Sequence, residues 1–263
     1  GLLEGIGRRG VDGVATGVGL LAFVGEMGAA WLRQVLNPGR IRWAEISESL
    51  IEAGHRALGI VGLLSFLLGV VIAYQGGVQL RQYGASLFVA DLVGLSMVRE
   101  LAPLITAIIV AGRTGSAYTA QIGTMQVTEE IDALRSMGIP PMDVLVLPKL
   151  LSLIVALPLL TVFADIMGIL GGMVMSGVQL DIAFSTYLQR LGVAISVESF
   201  LVGVGKAPVF AAIIATIGCY QGFQVSGSAE SVGRRTTTSV VQSILAVIVV
   251  DAAFSVAFSR LGL

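Results

Sequence analysis

The sequence predicts an all-α integral membrane protein: an N-terminal interfacial amphipathic helix, five transmembrane helices, and a short polar helix between the second and third spans. Three observations carry that prediction. Hydrophobic residues make up 55% of the 263-residue chain and charged residues 13%, where a soluble domain carries roughly a quarter charged. Ala57 to Leu80 holds no charged residue and is long enough, at about 1.5 Å per residue, to cross a hydrocarbon layer of about 30 Å. The basic residues fall unevenly on the two sides of such runs. A net charge of -1 gives no footing for nucleic-acid binding. One Cys and one His exclude a disulfide framework and argue against a protein-only zinc site, so no metal centre is expected.

Residues 1–56 read as the N-terminal interfacial segment. Arg8, Arg9, Arg33, Arg40, Arg42 and Arg56 surround an apolar run, Gly13 to Gly25, that is too short to span. Val14, Val18 and Leu21 share a helical face, and Trp31 and Trp43 suit the head-group level, as in a helix lying in the membrane plane. A tilted extra span that tolerates Asp12 or Glu26 is the rival reading. Asn37-Pro38-Gly39 should break the chain before the next element.

Residues 57–263 read as a five-span domain, with spans over 57–80, 92–112, 149–178, 199–223 and 239–258. The second is interrupted by Arg99-Glu100, with a kink expected at Pro103. The third contains Pro158 and Asp165, and its Gly168, Gly172 and Ser176 place a small residue at every fourth position, which allows close helix approach. Asp181 to Glu198 is a short amphipathic excursion. The fourth span carries Lys206 and Pro208, and the fifth carries Asp251; between them Gln224 to Thr238 reads as a polar loop.

The polar helix is expected over 128–138. Thr128 can cap its first turn, Glu129, Glu130 and Asp132 sit at the positive end of the helix dipole, and Arg135 lies in the last turn. Gly138 and Pro140-Pro141 stop it. Ile131, Leu134 and Met137 give it an apolar face that can dock while the carboxylates stay in water. Such a helix can receive force from a soluble partner, or it can be a solvated loop helix with none.

On this map six basic residues precede the first span, and Arg113, Arg135, Lys149, Arg234 and Arg235 share their side. Arg81, Arg190 and Arg260 fall on the other. The positive-inside rule then puts the N-terminus and the polar helix in the cytoplasm and the C-terminus outside. Arg99, Glu100, Asp165, Lys206 and Asp251 lie within spans, where each charge costs several kcal/mol unless paired or hydrated. Helical rise places Arg99, Lys206 and Asp251 at one level, about 10 Å below the outer surface, with Asp165 not far from it. These charges either hold the bundle together as ion pairs or line a cavity for a charged head group. Gly203-Val-Gly-Lys206-Ala lacks the spacing and the Ser or Thr of a phosphate loop. Asp165 and Asp251 lack the flanking residues of an intramembrane aspartyl protease, and no G-x-S-x-G elbow is present.

Five stretches stand out together: Met97-Val-Arg-Glu-Leu-Ala-Pro-Leu104, Ala111-Gly-Arg-Thr-Gly-Ser-Ala117, Ile122-Gly-Thr-Met-Gln-Val-Thr-Glu-Glu-Ile-Asp-Ala-Leu134, Met137-Gly-Ile139 and Val146-Leu-Pro-Lys149. On them the chain resembles the MlaE (YrbE) family of ABC-type lipid-transporter permeases. The resemblance continues through Gly227 to Val241 and Asp251, and departs at Gln121, Arg235 and Ser239. It implies a homodimeric permease in the inner membrane of a Gram-negative bacterium. Its partners would be an MlaF-type ATPase that binds the ATP and magnesium, an MlaB-type STAS protein and an MlaD-type MCE hexamer. No cofactor and no enzymatic activity would belong to this chain. The 128–138 helix would be the coupling helix, meeting the ATPase through Glu129, Glu130, Ile131, Asp132, Leu134 and Arg135. Glycerophospholipid would pass between inner and outer membranes, maintaining outer-membrane lipid asymmetry, with Arg99, Glu100, Lys206 and Asp251 bordering its path. The reading from a different class is a membrane scaffold that anchors an MCE assembly without forming the path.

Overall fold

A computed structural model describes residues 2–36 and 43–261, and the described residues form helices joined by short turns. The Asn37-Pro38-Gly39 break lies outside them, as do the side chains of Arg8, Arg9, Asp12, Val14, Arg40, Arg42 and Arg56. The first helix, α1 (Leu2–Leu36), extends well beyond the Gly13–Gly25 run, and it is not among the helices long and apolar enough to cross a membrane. It docks on the bundle through Phe23, whose ring lies 5.7 Å from that of Tyr220 and 5.8 Å from that of Phe223. Leu21, Trp31 and Leu32 face outward.

Five helices have the length and apolarity of membrane spans: α2 (Trp43–Gln82), α3 (Ser86–Val127), α5 (Met142–Leu180), α7 (Val197–Phe223) and α8, which runs over Ala229–Leu261. Between them stand α4 (Glu130–Ser136) and α6 (Phe184–Ala194). Each span continues past the apolar run that announces it. No Pro interrupts residues 43–82, so α2 passes without a break through the 56/57 boundary drawn from composition. Residues 229–238, expected in a polar loop, form the first turns of α8. Thr236, Thr237 and Thr238 there donate their hydroxyls to the carbonyls of Val232, Gly233 and Arg234, so the helix satisfies its own polar side chains.

α3 widens into π turns at Met97–Leu101 and Ala111–Gly115. The first stands where a kink at Pro103 was expected. Proline lacks the N–H and crowds the carbonyl four residues back, and a wider turn relieves that crowding.

Small residues set the spacing of the bundle. A Cβ on Gly69 of α2 would stand 1.8 Å from the Gly168 carbonyl oxygen of α5, and one on Gly171 would stand 2.0 Å from that of Phe66. Gly168 also receives Met97 of α3 and Gly172 receives Val93, so the pattern serves packing. α7 meets both π turns of α3 through glycine: a Cβ on Gly203 would lie 1.9 Å from the Val98 carbonyl oxygen, and one on Gly218 would lie 2.9 Å from that of Gly115.

Candidate functional site

The close approach at Gly203 decides what happens one turn later. Lys206 enters the bundle fully buried, and Pro103 offers no N–H to the Arg99 carbonyl. Lys206 Nζ donates to that oxygen at 3.2 Å, to Glu100 Oε2 at 2.7 Å and to Asp251 Oδ1 at 3.1 Å. One ammonium thus uses its three donors on one carbonyl and two carboxylates from α3 and α8. Arg99 Nε stands 3.8 Å from Glu100 Oε1, so these neighbours in sequence do interact, although a 100° step around a helix does not require it. Two cations and two anions balance.

The four members are unequally open. The side chains of Lys206 and Asp251 are 0% and 12% exposed, those of Arg99 and Glu100 27% and 36%. Lys206 and Asp251 therefore form the sealed floor of the cluster, and the guanidinium and carboxylate of α3 form its open edge. Asp165 does not join them. It is buried in α5, and neither carboxylate oxygen has a hydrogen-bond partner.

Ser255 was missed from the sequence. Its hydroxyl donates to Glu100 Oε2 at 3.0 Å. The signal lies in the spacing of α8, where Ser239, Ser243, Val247, Asp251 and Ser255 recur every four residues; the first four are buried. Val241, Leu245, Val249 and Val256 are exposed on the other side. α8 is thus polar toward the bundle and apolar outward, the reverse of a helix on a soluble core. A second missed contact joins α3 to α6: Arg190 Nε donates to Asp91 Oδ1 at 2.6 Å, and the guanidinium lies 4.6 Å from the centre of the Phe88 ring.

At the other end of the bundle, α4 starts one step later than expected. Thr128 closes α3 instead of capping α4: the single proton of its hydroxyl is shared between the Thr124 carbonyl at 3.1 Å and Glu130 Oε1 at 2.8 Å. Glu129 takes the position before the helix with φ 61°, in the left-handed region. The far end follows the expectation. Gly138 has φ 74°, its N–H donates to the Arg135 carbonyl at 3.0 Å, and that of Ile139 donates to the Leu134 carbonyl at 3.0 Å, the paired closure of a Schellman motif. Ile131 is fully buried and Leu134 half-buried, while Met137 is 64% exposed. Asp132 and Arg135 pair on the outer side at 3.1 Å. A cleft of about 660 Å³ lies beside α4, lined in part by Phe23, Arg33, Arg135, Met142 and Gln224.

The profile of the family described as Permease MlaE matches residues 46–257. The chain belongs to the MlaE permease family. It is 35% identical over 204 residues to a probable ABC transporter permease protein of Rickettsia bellii, covering 78% of this chain and 79% of that one. It is 36% identical over 211 residues to a probable ABC transporter permease protein of Synechocystis sp., covering 80% of each. It is also 33% identical over 213 residues to Protein TRIGALACTOSYLDIACYLGLYCEROL 1, chloroplastic, of Arabidopsis thaliana, covering 81% of this chain and 61% of that protein. Membership in the MlaE family makes this multi-pass membrane protein an ABC transporter permease, which is not itself an enzyme and works with a partner ATPase.

Proposed function

We propose that the chain moves glycerophospholipid, and that the head group passes the open edge of the Lys206 cluster. The observation that carries this reading is a charge-balanced cluster inside an apolar bundle whose arginine and one carboxylate remain partly open. Arg99 can bind a phosphate through its planar fork, Glu100 can meet an amine, and Lys206 with Asp251 fixes both from behind. Ser255, half-buried beside Glu100, extends the polar surface. The name of the Arabidopsis relative is that of a galactolipid, which supports a lipid as the cargo class.

The finer setting follows the family resemblance. Two copies would form the permease in the inner membrane of a Gram-negative envelope, with the N-terminus cytoplasmic and the C-terminus periplasmic. An MlaF-type ATPase, holding ATP and magnesium, would receive α4 as the coupling helix, with an MlaB-type STAS protein beside it. An MlaD-type MCE hexamer on the far side would pass lipid toward the outer membrane and so maintain its asymmetry. Ile131 ties α4 to the membrane body while Met137 and the Asp132–Arg135 pair stay outside, an arrangement suited to passing motion between them.

Photo-cross-linkable phospholipid tests the reading in the assembled complex. Arg99→Gln should leave assembly and ATP hydrolysis intact while lowering lipid cross-linking and transport several-fold. Unchanged cross-linking and transport would remove the cluster from the lipid path.

A further inference from the structure

The α4 end of the bundle holds a second polar cleft, which the Lys206 cluster does not explain. It encloses about 260 Å³ between α2 and α3, and its lining includes Ser49, Glu52, Arg113, Thr114, Tyr118 and Gln121. Behind it Lys149 is 8% exposed, its Nζ 2.7 Å from Gln121 Oε1 and 4.9 Å from the centre of the Tyr118 ring. Gln121, an apparent departure from the family pattern, thus holds the buried lysine through an amide carbonyl. Among the described residues, Arg113, Lys149 and Glu52 bring two cations and one carboxylate to this cleft.

The height of the cleft points to its ligand. Glu52 and Ser49 precede the uncharged stretch that starts at Ala57 by five and eight residues, which is about 7–12 Å along the helix. Arg113 lies fourteen residues beyond Arg99 in α3, about 21 Å toward the α4 end. These distances set the cleft in the head-group layer of the leaflet on the α4 side. The helical face of α2 that carries Ser49 and Ala53 continues into Ile60, Leu63 and Leu67, which are 46%, 60% and 47% exposed. A polar pocket thus opens onto an apolar stripe running into the membrane, the division that a phospholipid itself has.

We propose that this cleft binds the head group of a glycerophospholipid from that leaflet. The phosphate lies against Arg113 with Lys149 behind it, a cationic amine lies against Glu52, and an acyl chain follows Ile60, Leu63 and Leu67. An ethanolamine head group fits both charges; a glycerol head group satisfies only the cations. The site is independent of the lipid path through the Lys206 cluster.

Native mass spectrometry of the full chain carrying Arg99→Gln, which weakens lipid at the Lys206 cluster, and stripped of lipid in detergent, tests it by titration with phosphatidylethanolamine, phosphatidylglycerol or soluble phosphoethanolamine. The expected result is one saturable phosphatidylethanolamine adduct per chain, tighter than that of phosphatidylglycerol, with phosphoethanolamine much weaker than either. Arg113→Gln should weaken both lipids about tenfold. Glu52→Gln should erase the preference for ethanolamine and leave phosphatidylglycerol in place. Should Arg113→Gln unfold the chain, Ala117→Phe, which fills the exposed lip while leaving every charge in place, should block both adducts at an unchanged melting temperature. Adducts that survive Ala117→Phe at full strength would overturn the site, and phosphoethanolamine binding as tightly as the lipid would make it a site for soluble phosphate esters. Lost transport with adducts intact would concern the Lys206 cluster and not this cleft.

Discussion

Lys206 holds together groups that have little other reason to share one level of the bundle. Replacing it by Met removes the ammonium and strands the buried Asp251 beside the partly open Glu100; a fully buried broken pair costs about 3–5 kcal/mol, and solvent at Glu100 brings the loss to the lower end of that range. Thermal unfolding in detergent should show a large loss for Lys206→Met and a partial recovery when Asp251→Asn is added, because the second change removes the charge that the first one stranded. Strictly additive losses would mean that the two side chains act separately. The meeting of these charges could be read from the sequence, since a fixed rise per residue brings charges on different spans to one depth. Their division into floor and edge could not, because it depends on how closely Gly203 lets α7 approach the π turn of α3. Asp165 shows the same limit: its depth was legible, but the direction it faces follows from the packing of α5.

Among the elements, α4 has the clearest division between residues that hold it and residues that present it. Ile131 is its anchor, and Ile131→Asp should release the helix from the membrane body while the spans stay folded. The measurement is ATPase activity in the assembled complex: lipid-dependent stimulation should fall at least several-fold with the melting temperature of the permease nearly unchanged. Stimulation at the original level would mean that α4 does not carry the coupling. Gly138 supplies a separate test, since alanine at φ 74° costs about 1 kcal/mol. Gly138→Ala should speed amide exchange across residues 130–139 and leave α5 protected. The sequence showed the end of α4 better than its start. Only glycine suits the left-handed closure, whereas Thr128 had two uses for its hydroxyl and took the one that finishes α3. Span lengths were underread for a related reason: threonines that look like loop residues back-bond within α8, so the helix outlasts its apolar run.

Across the whole molecule, α8 is the span that the rest of the chain covers least. In its most apolar stretch 17% is buried, against half in α3 and α7. Val241, Leu245 and Val249 are 52%, 58% and 67% exposed along one side, while the serines and Asp251 face the Lys206 cluster. α2 also shows an exposed apolar face, but α2 packs on α5 and gives no residue to the Lys206 cluster, so lipid can cover that face without consequence for a path. A second copy laid against α8 would bury this apolar side, with the polar stripe and the Lys206 cluster of each copy directly behind it. The proposed homodimer should therefore pair through α8. With Cys219 replaced by Ala to remove the single native thiol, Leu245→Cys should form a disulfide-linked dimer in native membranes on mild oxidation, and Leu63→Cys on α2 should not. Cross-linking at Leu63 with none at Leu245 would place the partner against α2 and leave the apolar side of α8 facing lipid instead of a second copy.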